Sequence, residues 1–176
     1  MNYMMNPSIS SMGKSDIYAE KLIKAYFSQP QFKDKRFPVF ESDCEDEGCK
    51  LNGDFKDYIV LNGDNIQTLL KRDEKSVDRI LFLKKAPDKK VDVILCELTR
   101  GKKKYTDVRE KIKQSGKYIF TVLQELGFKV RDFKCIFVGN YKNAKRVRPK
   151  PFSVPPFHKN NITIKQIECG SEFAEI

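Results

Sequence analysis

Apolar positions along the chain change period, and each change marks an element. Ala19, Leu22, Ile23, Tyr26 and Phe27 recur three and four apart, the spacing of one helix face, with Ser15 ahead of them as an N-cap. This predicts a helix over 15–28. The pattern then lapses: Pro30, Pro38, an acidic cluster at 41–47 and Asn52-Gly53 predict an irregular acidic excursion over 29–57. Runs of strand length and composition follow at 58–61, 77–83, 91–96, 133–138 and 162–167. The second and third are joined through the turn-rich Ala86-Pro87-Asp88-Lys89-Lys90 and read as a hairpin. Between the first two, Asp64 as N-cap with Gln67 three residues on predicts a short helix to about residue 72. A longer helical period covers 107–126, started by Asp107 and Glu110 and stopped by Gly127, with Val108, Ile112, Ser115, Ile119, Val122 and Leu126 facing the core. Ser115 and Gly116 in its middle lower helix propensity, the glycine by roughly 1 kcal/mol, which predicts close backbone contact with a sheet.

Strands alternating with helices predict an α/β fold, a central mixed β-sheet flanked by helices. At 176 residues and 40% apolar composition, the chain suits one domain over 15–176 behind a flexible N-terminal arm at 1–14. The two Leu-Asn-Gly-Asp strings, at 51–54 and 61–64, are too short for a repeat architecture and read as recurring turn chemistry.

Charge sharpens this picture. The net +10 is uneven, because residues 100–150 hold 16 Lys/Arg against 4 Asp/Glu and leave the remainder slightly acidic. A concentrated basic segment attracts polyanions, of which nucleic acid is the commonest in a cell. Lys102, Lys103 and Lys104 form one basic run; the Pro-rich loop over 141–161 adds Lys142, Lys145, Arg146, Arg148 and Lys150. Tyr141, Phe152 and Phe157 interleave with these charges, an arrangement that suits bases stacking beside a phosphate track. No segment approaches the ~20 apolar residues of a membrane span. Five cysteines without a secretory leader point to a reducing, cytoplasmic setting. Cys96 and Cys135 lie in strand runs and read as buried filler, while Cys44 and Cys49 lack the further ligands of a zinc or iron–sulfur site. His158 stands alone, so paired-histidine chemistry is excluded, and no Gly-x-Ser-x-Gly elbow supports a serine hydrolase. Gly13-Lys14-Ser15 lacks the first glycine and the preceding strand of a phosphate-binding loop.

The remaining chemistry sits on the hairpin. Asp78 near the start of one strand can face Glu97 near the end of the other, because antiparallel pairing brings such positions together. Two carboxylates so placed suit Mg²⁺, which prefers oxygen ligands and keeps room for waters and a substrate phosphate. Thr99 shares the strand face of Glu97, two residues on. Glu20 on the first helix is an accessory candidate.

The order helix, strand, hairpin with Asp then Glu, helix, strand, strand resembles the core of the PD-(D/E)XK nuclease superfamily, most specifically across 78–118. Gln114-Ser115-Gly116-Lys117-Tyr118 also matches the Gln-x-x-x-Tyr helix motif of its RecB-type exonuclease domains. The resemblance implies a restriction-endonuclease-like core that hydrolyses phosphodiesters in DNA or RNA, with Asp78 and Glu97 binding Mg²⁺ or Mn²⁺. Gln114, Lys117 and Tyr118 would then shape the site, while Lys102, Lys103, Lys104, Lys145, Arg146, Arg148 and Lys150 grip phosphates. The chain departs from the pattern at Val77, where proline is usual, and at Thr99, where the family carries a lysine beside the attacking water. Lys102, Lys103 or Lys104 curling back, Lys117 reaching in, or Thr99 orienting water beside the metal would compensate. Without compensation the expectation is an inactive nuclease-like module that binds nucleic acid or a partner protein; a homodimer is left open.

Overall fold

The computed structural model describes residues 17–155 and 157–175, so the predicted arm at 1–14 lies outside the described residues. In chain order, β1 (Ile17–Tyr18) leads into α1 (Ala19–Tyr26), a 3₁₀ turn at Pro30–Phe32, β2 (Phe40–Glu41), β3 (Cys44–Asp46), β4 (Cys49–Leu51) and β5 (Tyr58–Asn62). Next come α2 (Gly63–Leu69), β6 (Arg79–Leu83), β7 (Lys85–Ala86), β8 (Lys90–Lys103), α3 (Tyr105–Glu125) and β9 (Lys129–Tyr141). β10 (Phe152–Val154), β11 (Phe157–Ile162) and β12 (Ile164–Ile167) complete the strands. Helix α1 is shorter than its apolar period, since the chain at 17–18 pairs with β7 instead. The excursion over 29–57 is more ordered than its composition predicts, holding β2 and the β3–β4 hairpin.

Six strands form the main sheet in the order β12-β9-β8-β6-β5-β2. β12, β9 and β8 are parallel; β8, β6, β5 and β2 alternate. The sheet is therefore mixed, and the fold is α/β. Strand alternation sorts the side chains onto two faces. Ile80 and Phe82, Val93 and Leu95, and Phe133 and Cys135 join Ile23, Ile66, Val108 and Ile112, so all three helices contribute to the core on one face. Leu81, Ile94, Cys96, Leu98, Ile136 and Val138 point the other way, against Cys44, Cys49, Leu51 and Phe55. That second face is covered by the β3–β4 hairpin rather than by a helix.

The small residues in mid-α3 follow from this packing. A Cβ on Gly116 would stand 2.7 Å from the Val154 Cγ1 atom, closer than side-chain packing tolerates, and in ordinary contact with Phe133 Cζ at 3.4 Å. Ser115 Oγ accepts the Val77 backbone N–H at 2.9 Å, which ties α3 to the segment just ahead of Asp78. Aromatic residues of the basic loop also turn inward. Tyr141 is 3% exposed and Phe152 is 7% exposed, both packed in the core, so neither is a surface for stacking bases; the Phe157 side chain lies outside the described residues.

Candidate metal centre

Register sets the first contact. Arg79 pairs with Cys96 across β6 and β8, so one step outward brings Asp78 beside Glu97. The Leu98 N–H donates to Asp78 Oδ2 at 2.6 Å, fixing the carboxylate at the strand end. Asp78 is 1% exposed and Glu97 0%.

Two further carboxylates arrive from elsewhere. Asp64 does not cap α2; Asn62 does, its side chain accepting the Asn65 N–H at 2.9 Å. Asp64 is thereby released, one residue into the helix. The start of α2 is drawn against the start of β6 by Gly63, whose N–H donates to the Asp78 carbonyl at 3.1 Å. A Cβ there would overlap the Val77 carbonyl oxygen at 1.9 Å, which only glycine avoids. Asp46, at the end of β3, reaches in from the other face of the sheet. One oxygen each from Asp46, Asp64 and Asp78 lies within 4.8 Å of the others, a group that could hold a metal ion. Gly63→Ala is accordingly expected to push α2 away from the Asp78 segment. We expect a thermal-unfolding loss of about 1–3 kcal/mol, as for other overpacked sites, together with weaker divalent-cation binding.

Glu97, expected from the sequence as the second metal ligand, stands beside this trio and is not one of its three members. Its Oε1 accepts from Lys111 on α3 at 2.8 Å and from Lys103, while its buried Oε2 has no hydrogen-bond partner among the described residues. Lys111 also lies 3.7 Å from Asp78 Oδ1. Lys103 comes back to Glu97 because β8 is bulged: the stretch from Glu97 to Lys103 runs alongside only Phe137 to Tyr141 of β9, with a register shift between Leu98 and Lys102. The backbones close up at that bulge, where a Cβ on Gly139 would meet the Thr99 carbonyl at 2.6 Å.

Crowded acids hold their protons. Burial, only partly offset by Lys111 and the Leu98 N–H, pushes the Asp78 carboxyl up to about 6. Burial is also the main reason that the Glu97 and Asp64 carboxyls are raised, followed in Glu97 by the Asp78 charge. Asp64 is solvent-exposed, so this residue opens the cluster to solvent. A cation entering the cluster displaces protons from these groups. Mn²⁺ affinity is therefore expected to rise with pH by about tenfold per unit for each proton displaced, more steeply below about pH 6, where Asp78 is still protonated, than above it, as measured by calorimetric titration between pH 5 and 8.

Other residues singled out in the sequence fall in different places. Thr99 is buried but turns toward the hairpin, donating weakly to Glu47 Oε2 at 3.4 Å and accepting the Gly101 N–H at 3.2 Å. Gln114 accepts from the Lys75 N–H and donates to Glu110, so it holds the loop three residues ahead of Asp78 rather than touching the carboxylates. Tyr118 and Lys117 line a separate cleft with Tyr26, Arg72 and Glu125, where the Arg72 guanidinium lies 5.0 Å from the centre of the Tyr118 ring. The lysine that reaches in from α3 is Lys111, not Lys117. Glu20 pairs with Lys24 and Lys84, remote in contact from the cluster.

The basic residues gather at one end of the sheet. Lys102 pairs with Asn140, and the Lys142 N–H donates to the Lys103 carbonyl, so the basic run of β8 and the start of the 141–161 loop leave the sheet together. Tyr105 at the start of α3 donates to the Lys150 carbonyl at 3.0 Å, closing the loop back. Lys102, Lys104, Lys145, Arg146, Arg148 and Lys150 are exposed along this rim, whereas Lys103 is half-buried against Glu97.

No helix among the described residues is long and apolar enough to cross a membrane. No protein-family model, curated protein or solved structure matches this chain.

Proposed function

We propose that this protein is a divalent-metal-dependent nuclease with a restriction-endonuclease-like core, acting on DNA or RNA in the cytoplasm. The observation that carries this reading is the convergence of Asp46, Asp64 and Asp78 within 4.8 Å, beside a buried Glu97 oxygen that has no hydrogen-bond partner among the described residues. Mg²⁺ or Mn²⁺ fits such an all-oxygen donor set, and when bound it supplies Lewis-acid polarisation of a phosphodiester and a lowered pKa for water. Asp46, Asp64 and Asp78 would hold the ion, with the free Glu97 oxygen as a further donor.

The chain's own groups do the rest. Lys111 and Lys103 keep ammonium groups against Glu97 at the edge of the cluster, in the role the family lysine would fill, where they would steady negative charge building up on the oxygens of a phosphodiester held there. Asp78 and Glu97, raised by burial, can take up a proton near neutral pH more readily than ordinary carboxylates. Gln114 and Ser115 hold the 75–77 segment and so fix where Asp78 stands. The exposed rim from Lys102 to Lys150 tracks the phosphate backbone.

Purified protein incubated with labelled single- and double-stranded DNA and RNA is expected to cleave at least one of them in Mg²⁺ or Mn²⁺ and none in excess chelator. Absence of cleavage despite bound metal would overturn the catalytic reading. Binding to the rim is expected to weaken as salt rises. Arg146→Ala is expected to lower the slope of log K against log salt by about 1 on duplex DNA.

One observation favours a second reading, an inactive module that binds nucleic acid or a protein partner. Glu97 Oε1 already carries two lysines, and Thr99 stands where the family lysine would be. Salt-sensitive binding without cleavage would establish that alternative.

A further inference from the structure

Asp46 is the only member of the acidic trio carried by the β3–β4 hairpin rather than by the main sheet or α2. Its position depends on what holds that hairpin. Within the hairpin, Asp46 pairs directly with Cys49, and Cys49 is joined by a disulfide to Cys169, 120 residues away in the segment after β12. That segment lies across the hairpin as a strap. The Gly170 N–H donates to the Lys50 carbonyl at 2.7 Å, the Phe173 N–H donates to the Asn52 carbonyl at 2.7 Å, and the Phe173 ring packs 4.9 Å from that of Phe55. On the sheet side, Cys169 Sγ sits 3.3 Å from the Thr99 carbonyl oxygen and Cys49 Sγ 3.4 Å from that of Val138, next to the Glu97 end of β8.

We propose that the Cys49–Cys169 bridge is a positioning device for the metal centre, which seats Asp46 beside Asp64 and Asp78 and makes cation affinity depend on the redox state of the two cysteines. The inference rests on the metal-centre reading above. In a reducing compartment a protein disulfide is usually transient and redox-sensing, not a permanent staple. Cys169 is exposed, so a dithiol reductant can reach it, whereas Cys49 is fully buried. The dithiol's thiolate attacks the Cys169 sulfur, the S–S bond breaks and Cys49 leaves as a thiolate that takes up a proton. The second thiol of the reductant then closes on the mixed disulfide and releases Cys169, so the protein gains two electrons and two protons while the reductant becomes its own disulfide.

Losing the bridge leaves the strap's hydrogen bonds and the Phe173 contact in place, and Arg79 still donates to the Glu45 carbonyl next to Asp46. Reduction should loosen the hairpin without unfolding the sheet. The other three cysteines, Cys44, Cys96 and Cys135, are buried and unbridged; burial pushes the Cys44 thiol up to about 12, which keeps it from competing in exchange.

The test titrates Mn²⁺ into oxidised protein, into protein reduced with dithiothreitol and freed of it without air, and into Cys169→Ser, with Asp46→Asn carried through both redox states. Circular dichroism and thiol counting accompany every sample. We expect reduced protein and Cys169→Ser to keep the native spectrum and bind Mn²⁺ about ten- to hundredfold more weakly than oxidised protein, the range for losing support behind a metal ligand. Asp46→Asn should bind weakly and equally in both redox states. Equal affinity in oxidised and reduced wild type would overturn the positioning role while leaving the metal centre standing. Collapse of the native spectrum on reduction would also overturn it, making the bridge a general staple. Absence of Mn²⁺ binding even in oxidised protein would sink the metal-centre reading itself.

Discussion

Asp78→Asn is expected to abolish divalent-cation binding and lower metal-dependent cleavage by about a thousandfold, yet give an apoprotein more stable than wild type at neutral pH. Function falls because Asp78 is the one buried member of the trio and supplies a charge that an amide cannot replace. On the proposed nuclease reading, several kcal/mol of transition-state stabilisation would go with the metal, and each 1.36 kcal/mol is a factor of ten in rate. Stability moves the other way. The folded-state pKa of Asp78, about 6, lies above its ordinary value of 3.8, so the folded state binds the proton more tightly than the unfolded state does. The contribution of Asp78 to wild-type stability is consequently greatest below about pH 4 and is lost as pH rises through about 6, by something on the order of 2 to 3 kcal/mol. Asparagine keeps an oxygen for the Leu98 N–H and has no charge to desolvate. In chelator, denaturant unfolding of the variant should therefore vary less between pH 4 and 7 than that of wild type, with the curves furthest apart at pH 7. A variant less stable than wild type at every pH would show that Asp78 serves the fold and not a ligand.

The same residues show what could be read in the chain before its structure was known. The facing of Asp78 and Glu97 was legible because strand alternation and antiparallel register are short-range rules, and the 77–83 and 91–96 runs carry both plainly. The close approach of α3 at Ser115 and Gly116 was legible because small residues in mid-helix seldom have another reason. Asp64 was misread as a cap, since Asn62 and Asp64 both have side chains that can accept the first helical N–H groups, and only the close seat of Gly63 decides between them. Asp46 looked like one more charge in an acidic excursion; what sets it apart is the fold of the hairpin onto the far face of the sheet. Lys111 precedes Gln114 and Ser115 by three and four residues, on the helix edge that faces the 75–78 segment, and that spacing was a usable signal. A lysine of the 102–104 run curling back was legible, but that it is Lys103 depends on the bulge in β8, which the composition of Arg100-Gly101-Lys102 hints at without fixing. The Cys49–Cys169 bridge joins residues too distant in sequence for spacing to suggest it, and the reducing setting read from the cysteine count argued against it.

Lys111→Met should be the most damaging single substitution for the folded apoprotein, and the pH dependence of the damage identifies its cause. Burial alone would lower the Lys111 pKa, but the Glu97 and Asp78 carboxylates together hold it above its ordinary value of 10.5. The stabilisation from that upward shift is present below about 10.5 and lost as pH rises through the folded-state value. A second limit comes from the partners. Glu97 is fully buried, and stripping its cation leaves a charge with Lys103 as its sole ionic partner among the described residues. Breaking a buried pair from one side costs about 3 kcal/mol or more, because the remaining charge keeps its desolvation penalty. As pH falls, Glu97 and Asp78, both raised by burial, take up protons and the penalty shrinks. The loss measured by chemical unfolding in chelator is thus expected to be largest between about pH 7 and 10 and clearly smaller at pH 5. Saturating Mn²⁺ should restore part of it, since a cation in the cluster offsets the same charges, and ligand binding to the native state alone stabilises by mass action. Lys117→Met, on the same helix but in the Tyr118 cleft, should change neither stability nor its pH profile by more than about 0.5 kcal/mol. If the two methionine variants behave alike, Lys111 is a surface lysine in solution and the carboxylates beside it are not the charged, metal-competent group the geometry describes.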